Sequence, residues 1–235
     1  KVIMVFKTIN FKQYRLWLLF YIVASLLSFT SLAQANNGNK QSWKIWRENT
    51  VQSVRYRAVE NSNLIEIKGT TTLKSSLSAF LLFIQDIENI NNWLDNTKNA
   101  KTIEYISNVE NIFVVYFESI WPVKTRQLVI HSRYWQNKDL SIEIEIHDAS
   151  EKIIDSKEII KIKLHSANWM ITPKSPNEIF IEYTFVADAK GSIPNWLVNN
   201  LSLKSIWKTL NNLQQQLPIS PYQKMHVDSI IEINL

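Results

Sequence analysis

Between about residue 101 and residue 187 the apolar residues recur at every second position, and a helix-period run follows directly. Ile142, Ile144 and Ile146 alternate with Ser141, Glu143 and Glu145; Ile160, Ile162 and Leu164 alternate with Lys161 and Lys163; Ile179, Ile181, Tyr183 and Phe185 form a third such row. Successive residues of a strand point to opposite faces, so this spacing builds strands with one apolar and one charged side. Segments 112–118 and 126–135 read the same way, joined by short polar loops. A sheet that is apolar on one side needs a cover on that side only. The predicted cover comes next in the chain. Gly191-Ser-Ile-Pro194 reads as a helix start with Pro in the first turn. Trp196, Leu197, Leu201, Ile206, Leu210, Leu213 and Leu217 then fall at helical spacing until Pro218. The expected fold class is α+β, a curved antiparallel sheet with one long amphipathic C-terminal helix, bent near Asn199-Asn200, across its concave face.

Ahead of this block the pattern predicts a short helix holding Trp43 and Trp46, then strands at about 51–59 and 63–75. Ser75 and Ser76 are candidate caps of an amphipathic helix carrying Leu77, Phe80, Leu81, Ile84, Ile87, Ile90 and Leu94. Residues 36–42 read as a flexible spacer, 43–217 as one domain, and 218–235 as a loosely attached tail in which Ile230, Ile231 and Ile233 could add an edge strand.

Residues 1–35 read as a secretory signal peptide. Lys1, Lys7, Lys12 and Arg15 precede the apolar run Leu16–Phe29, and Ala33-Gln-Ala35 supplies the small residues of a cleavage site. That run is short of the roughly 20 residues a bilayer span needs. Taking the leader's four basic residues from the chain's 26 leaves 22 against 21 acidic ones. The basic balance thus belongs to the leader, and nucleic-acid binding loses its electrostatic support. The expected location is the periplasm or the exterior, as a soluble monomer.

Catalytic chemistry finds little footing. Three glycines make neither a phosphate loop nor a dinucleotide fingerprint, and the absence of cysteine removes thiolate metal sites, disulfides and thiol nucleophiles. The four histidines fall in different predicted elements without metal-ligand spacing. Glu143 and Glu145 share the outer face of one strand, no GxSxG elbow is present, and Lys152, Lys157, Lys161 and Lys163 with their acidic neighbours read as a solvated face. The reading is of a protein that is not an enzyme and uses no cofactor and no metal.

Eight of the nine Trp lie beyond the leader. Beside the core-packing explanation, they suit the lining or rim of an apolar cavity between sheet and helix, with Trp121, Trp169 and Trp196 near strand and helix ends. The order of elements and several landmarks resemble the START (steroidogenic-acute-regulatory-related lipid transfer) domain from about Gln41 to Leu217: Trp43-x-x-Trp46, Trp121-Pro122 followed by Arg126, Trp169, and Asp188-Ala-Lys-Gly191-Ser-Ile-Pro194-Asn-Trp196-Leu197-Val198-Asn199. Where that family commonly has an Arg-Asp pair, this chain has Arg126-Gln127. The resemblance implies a helix-grip fold, also seen in Bet v 1-like proteins. It implies a tunnel holding one lipid or similar hydrophobic small molecule, transient membrane contact, and a gate formed by Trp121–Thr125 and the helix from Pro194. Tyr116, Trp121, Arg126, Tyr183, Trp196, Leu197, Leu201 and Leu210 are the expected ligand-facing residues. Two rival readings stand beside this carrier of a lipid. One is a cyclase or hydrolase of an apolar metabolite on the same fold, for which Tyr183 with Arg126 is the one candidate pair. The other is a module whose groove takes part of another envelope protein.

Overall fold

The structure, a computed structural model, describes residues 41–119 and 124–233. The expected signal peptide, most of the spacer and Trp121 lie outside the described residues. Ten strands form one antiparallel sheet apart from a single short parallel pairing: β1 (Lys44–Glu48), β2 (Gln52–Ala58), β3 (Ile65–Leu73), β4 (Thr97–Ser107), β5 (Glu110–Phe117), β6 (Arg126–Gln136), β7 (Ile142–Asp148), β8 (Ile160–Lys161), β9 (Lys163–Ser175) and β10 (Glu178–Asp188). Their spatial order is β1-β2-β3-β10-β9-β7-β6-β5-β4, with β8 alongside the start of β6. Helix α1 (Leu77–Gln85) follows β3, and the long helix α2 (Asn195–Gln216) follows β10. Twenty-two residues give α2 a length of roughly 33 Å. Among the described residues no helix is long and apolar enough to cross a membrane.

Alternation sorts the side chains as the spacing predicts. Ile142, Ile144 and Ile146, Trp169 and Ile171, and Ile179 and Ile181 turn to the main core, where Leu203, Ile206, Leu210 and Leu213 of α2 meet them. The helix packs closely on the sheet at Gly69 of β3, where an added Cβ would lie 2.8 Å from Ile206 Cγ2 and 3.1 Å from Leu210 Cδ1. Only a residue without Cβ lets helix and strand approach so closely.

Four expectations are corrected. Trp43 and Trp46 do not lie on a helix, because 44–48 pairs with β2. Residues three apart on a strand face opposite sides. Trp43 accordingly sits under Arg57 and Lys68, while Trp46 meets Trp207 edge-on at 6.4 Å. The helix capped by Ser76, whose Oγ accepts from the Ala79 amide at 3.1 Å, stops at Gln85 and gives way to a 3-10 turn over Ile87–Asn92. The outer face of the sheet is not wholly charged. β5 is apolar on both sides, and its outer residues Ile112 and Val114 join Val129 and Ala149 in a second small core. Lys161 is accordingly drawn out of the expected solvated face: its ammonium donates to the Ser150 carbonyl at 2.8 Å and to that of Ile153, and pairs with Asp155.

The tail is the fourth. It adds no strand among the described residues, and it is not loose. Ile230 is buried in the main core. The Glu232 carboxylate accepts from the amides of Leu77 and Ser78 at the start of α1, 3.1 and 2.8 Å away. Ile231 exchanges two hydrogen bonds with the Gln136 side chain, and the Tyr222 hydroxyl donates to Asp86 at 2.6 Å. The first four amides of a helix lack partners within it, and Glu232 meets two of them.

Candidate ligand-binding cavity

Sheet and helix do not close fully on each other. Between them lies a cavity of about 670 Å³, within the roughly 300–1,000 Å³ of small-molecule sites. Its inner wall comes from the concave faces of β5 (Phe113, Val115, Phe117), β6 (Leu128, Ile130), β7 (Ile144, Ile146), β9 (Leu164, Trp169) and β10 (Tyr183, Phe185, Ala187). The two-residue period makes this possible, since each strand contributes every second side chain. Val198, Leu201, Ser202 and Ser205 of α2 face these strands, and Trp93 and Ile90 after α1 complete the wall.

An aromatic ladder stands at its centre. Tyr183 and Trp169 are cross-strand partners and stack at 4.3 Å; Phe185, two residues on, stacks on Tyr183 at 5.3 Å. Trp93 meets Trp169 edge-on at 6.2 Å, and its buried indole N–H has no hydrogen-bond partner among the described residues. The Tyr183 hydroxyl likewise forms no hydrogen bond there. Burial pushes its pKa well above the usual tyrosine value, because a phenolate would be stripped of water. It remains a neutral donor at any physiological pH.

Charge is confined to other parts of the lining: Arg47, Asp95, Glu118, Lys124, Arg126, Lys204 and Lys208. Asp95 and Lys208 approach to 3.6 Å, and the Arg47 guanidinium lies over Trp207. Arg126 is 5% exposed. Its Nε donates to the Ala189 carbonyl at 2.9 Å, Nη1 to Lys124 at 2.8 Å, and Nη2 to Lys190 at 3.1 Å. Desolvation lowers its pKa below the ordinary arginine value. These bonds tie the start of β6 to the linker ahead of α2, where Lys190 and Gly191 both turn left-handed with φ of 54° and 79°.

Of the eight residues expected to face a ligand, Arg126, Tyr183 and Leu201 line this cavity. Tyr116 does not: on β5 it alternates with Val115 and Phe117, and it packs against the second small core outside the sheet. Trp196 is 70% exposed on the first turn of α2 and points away from the cavity. Leu197 stands beside the lining row rather than in it. Leu210 is buried against Gly69 of β3 and is not among the lining residues. Phe113, Phe117, Leu128, Tyr134, Phe185 and Trp207 line the cavity unanticipated; for Phe185 the alternation of β10 carried the signal, whereas the continuous apolar runs of β5 and β6 do not show which side faces inward. Among the described residues no group of His, Asp or Glu is placed to hold a metal ion.

The START domain family model matches residues 28–217. A comparison with curated protein sequences finds no match. Among solved structures, the chain is similar to a STAR-related lipid transfer protein from Xanthomonas axonopodis, with a TM-score of 0.67 and 23% identity over 76% of this chain and 99% of that one. It is also similar to human StAR-related lipid transfer protein 5, with a TM-score of 0.64 and 16% identity over 87% of this chain and 97% of that one. The family match, together with the sheet that wraps α2 around an apolar cavity, shows that the chain belongs to the START domain family.

Proposed function

We infer that the chain binds one lipid or other hydrophobic small molecule in this cavity, carries it without chemical change, and works in the periplasm. The observation that supports this most is the cavity itself, a large void walled by aliphatic and aromatic side chains. Exposing such a ligand to water costs roughly 0.8 kcal/mol per CH₂, so enclosure is what a carrier must supply. Absence of catalysis is favoured by the state of the two candidate groups. Tyr183 is held neutral, and three donors of Arg126 are already spent on backbone carbonyls. The periplasmic location rests on the leader read from residues 1–35.

Loading and unloading require contact with a membrane and a way in. The linker 189–194 and the first turns of α2 border the cavity. Ile154, 91% exposed, belongs to the loop leading into β8. Ile160 of β8 pairs with Arg126 and lies beside Gly191, so the loop carrying Ile154 leads into a strand that borders the linker ahead of Trp196. These two side chains suit a surface that touches a bilayer transiently.

Native mass spectrometry of the protein purified gently from the envelope fraction of its host tests the reading. A discrete adduct of lipid mass, released on denaturation, is expected. A bare protein that also takes up no lipid from vesicles would overturn it. Fractionation of the host addresses the location, and recovery of the protein with the cytoplasm would remove that part.

A further inference from the structure

The cavity keeps its uncharged and its charged walls apart. β7, β9 and β10 contribute no charged side chain to the lining; its charges come from β1, the segment before β4, the β5–β6 loop, the first residue of β6, and α2. Asp95 is close to Lys208, and Glu118 is the one other acid on the wall against Lys124, Arg126 and Lys204.

Arg126 is the buried member of that set. A guanidinium has five N–H donors, and three of them meet the Ala189, Lys124 and Lys190 carbonyls. Carbonyl oxygens accept hydrogen bonds without cancelling a full charge. Among the described residues, which hold every Asp and Glu of the chain, no ion pair reaches Arg126. Gln127, its neighbour, turns to the other face of β6 and carries no charge. A buried cation without a counter-charge is costly, and an anion that meets it with two free N–H donors in fixed geometry recovers that cost.

We propose that the cavity takes an amphiphile with a single anionic oxygen group, a carboxylate or phosphate ester, whose head binds Arg126 and whose chain runs past Tyr183 to Trp169. Lys124 and Lys204, on the same wall, add positive potential without being buried. The uncharged ladder of β9 and β10 receives the chain. This proposal rests on the ligand-binding reading above and names its ligand class.

Three ligands of equal chain length and different head charge decide it: hexadecanoate, hexadecanol and hexadecyltrimethylammonium, with acetate and inorganic phosphate as anions without a chain. Binding is read on the mature protein by quenching of its tryptophan fluorescence and by native mass spectrometry. Hexadecanoate is expected to bind at least tenfold more tightly than hexadecanol, with the ammonium weakest and neither acetate nor phosphate binding measurably. In Arg126→Gln, checked for folding by circular dichroism, the tenfold preference for hexadecanoate over hexadecanol disappears. Should that variant not fold, Lys124→Gln/Lys204→Gln, at exposed positions, is expected to reduce the preference about threefold. Equal binding of all three chains would overturn the anionic assignment and leave the carrier reading standing. So would a preference that survives in folded Arg126→Gln, or is untouched in the double lysine variant. No binding of any chain would overturn both, and saturable binding of acetate or phosphate alone would mark a small-anion site in place of a lipid site.

Discussion

Gly69 shows how a single position limits the approach of the covering helix. The nearest atom to an added Cβ is Ile206 Cγ2, at 2.8 Å, and a β-branched side chain on a helix cannot swing aside because its χ1 is nearly fixed. Overpacking of this kind costs about 1–3 kcal/mol, and the reduced freedom of the unfolded chain returns at most about 1 kcal/mol. Gly69→Ala is therefore expected to lower stability by about 1–2 kcal/mol, read as a shift in the urea midpoint without a change in slope. An unchanged midpoint would mean that α2 is free to lift away from β3. Tyr183 poses the opposite case. Its hydroxyl has no partner among the described residues, so Tyr183→Phe is expected to leave both stability and the loading of a saturated chain unchanged. Conversion of a bound substrate by the wild-type protein that is lost in this variant would move the assignment to an enzyme. Neither position stands out in the sequence by its type alone. What separates them is the neighbour each meets: a helix side chain for Gly69, a void for Tyr183.

Elements that border the cavity are held by side chains reaching over from other segments. Asp148 closes β7. Burial pulls its pKa up, but hydrogen bonds from the Ser150 hydroxyl, the Leu164 and Ser150 amides and the Lys163 ammonium outweigh that effect and leave it below the ordinary value. A carboxyl whose folded pKa is depressed adds stability that is fully present above its unfolded value of about 3.9 and is lost as pH falls through the folded one. Asp148→Asn is expected to be less stable than wild type by about 2 kcal/mol at pH 7. The two proteins should converge in acid, below the ordinary aspartate range. A gap that stays constant down to low pH would show that shape, not charge, makes the Asp148 contribution. The tail acts similarly on α1, whose first amides are met by Glu232 from 154 and 155 residues away in the chain. Glu232→Ala is expected to cost about 1 kcal/mol, with no change in ligand affinity, since Glu232 is not on the cavity wall. This tail contact was illegible in the sequence because 225–233 has neither strand nor helix period. Single side chains hold it in place. By contrast β7 and β10 were legible, since alternation over seven or more residues has one physical reading.

At the scale of the whole molecule, periodicity marks which side of α2 is buried, but it does not distinguish burial against protein from burial against empty space. Leu210 and Leu201 belong to the same apolar stripe, yet Leu210 rests on β3 and Leu201 hangs over the cavity. The same limit applies at the N-terminus of α2, where the apolar Trp196 was expected inside and stands in solvent. A tryptophan left outside, on the helix that borders an apolar cavity, is costly in water unless another apolar phase receives it. Burying one such side chain in a membrane interface is worth about 2 kcal/mol, more than tenfold in partitioning. Trp196→Ala is accordingly expected to lower vesicle association about tenfold and to slow lipid exchange between vesicles to a similar degree. Removal of an exposed side chain leaves folding stability within about 0.5 kcal/mol. Because Trp196 does not line the cavity, the amount of ligand bound at equilibrium should not change. Co-sedimentation with vesicles, set beside an equilibrium loading measurement, separates these effects. A variant that loads less lipid but still sediments with membranes would return Trp196 to the cavity; one that exchanges lipid at the wild-type rate would show that the molecule meets the bilayer through another face.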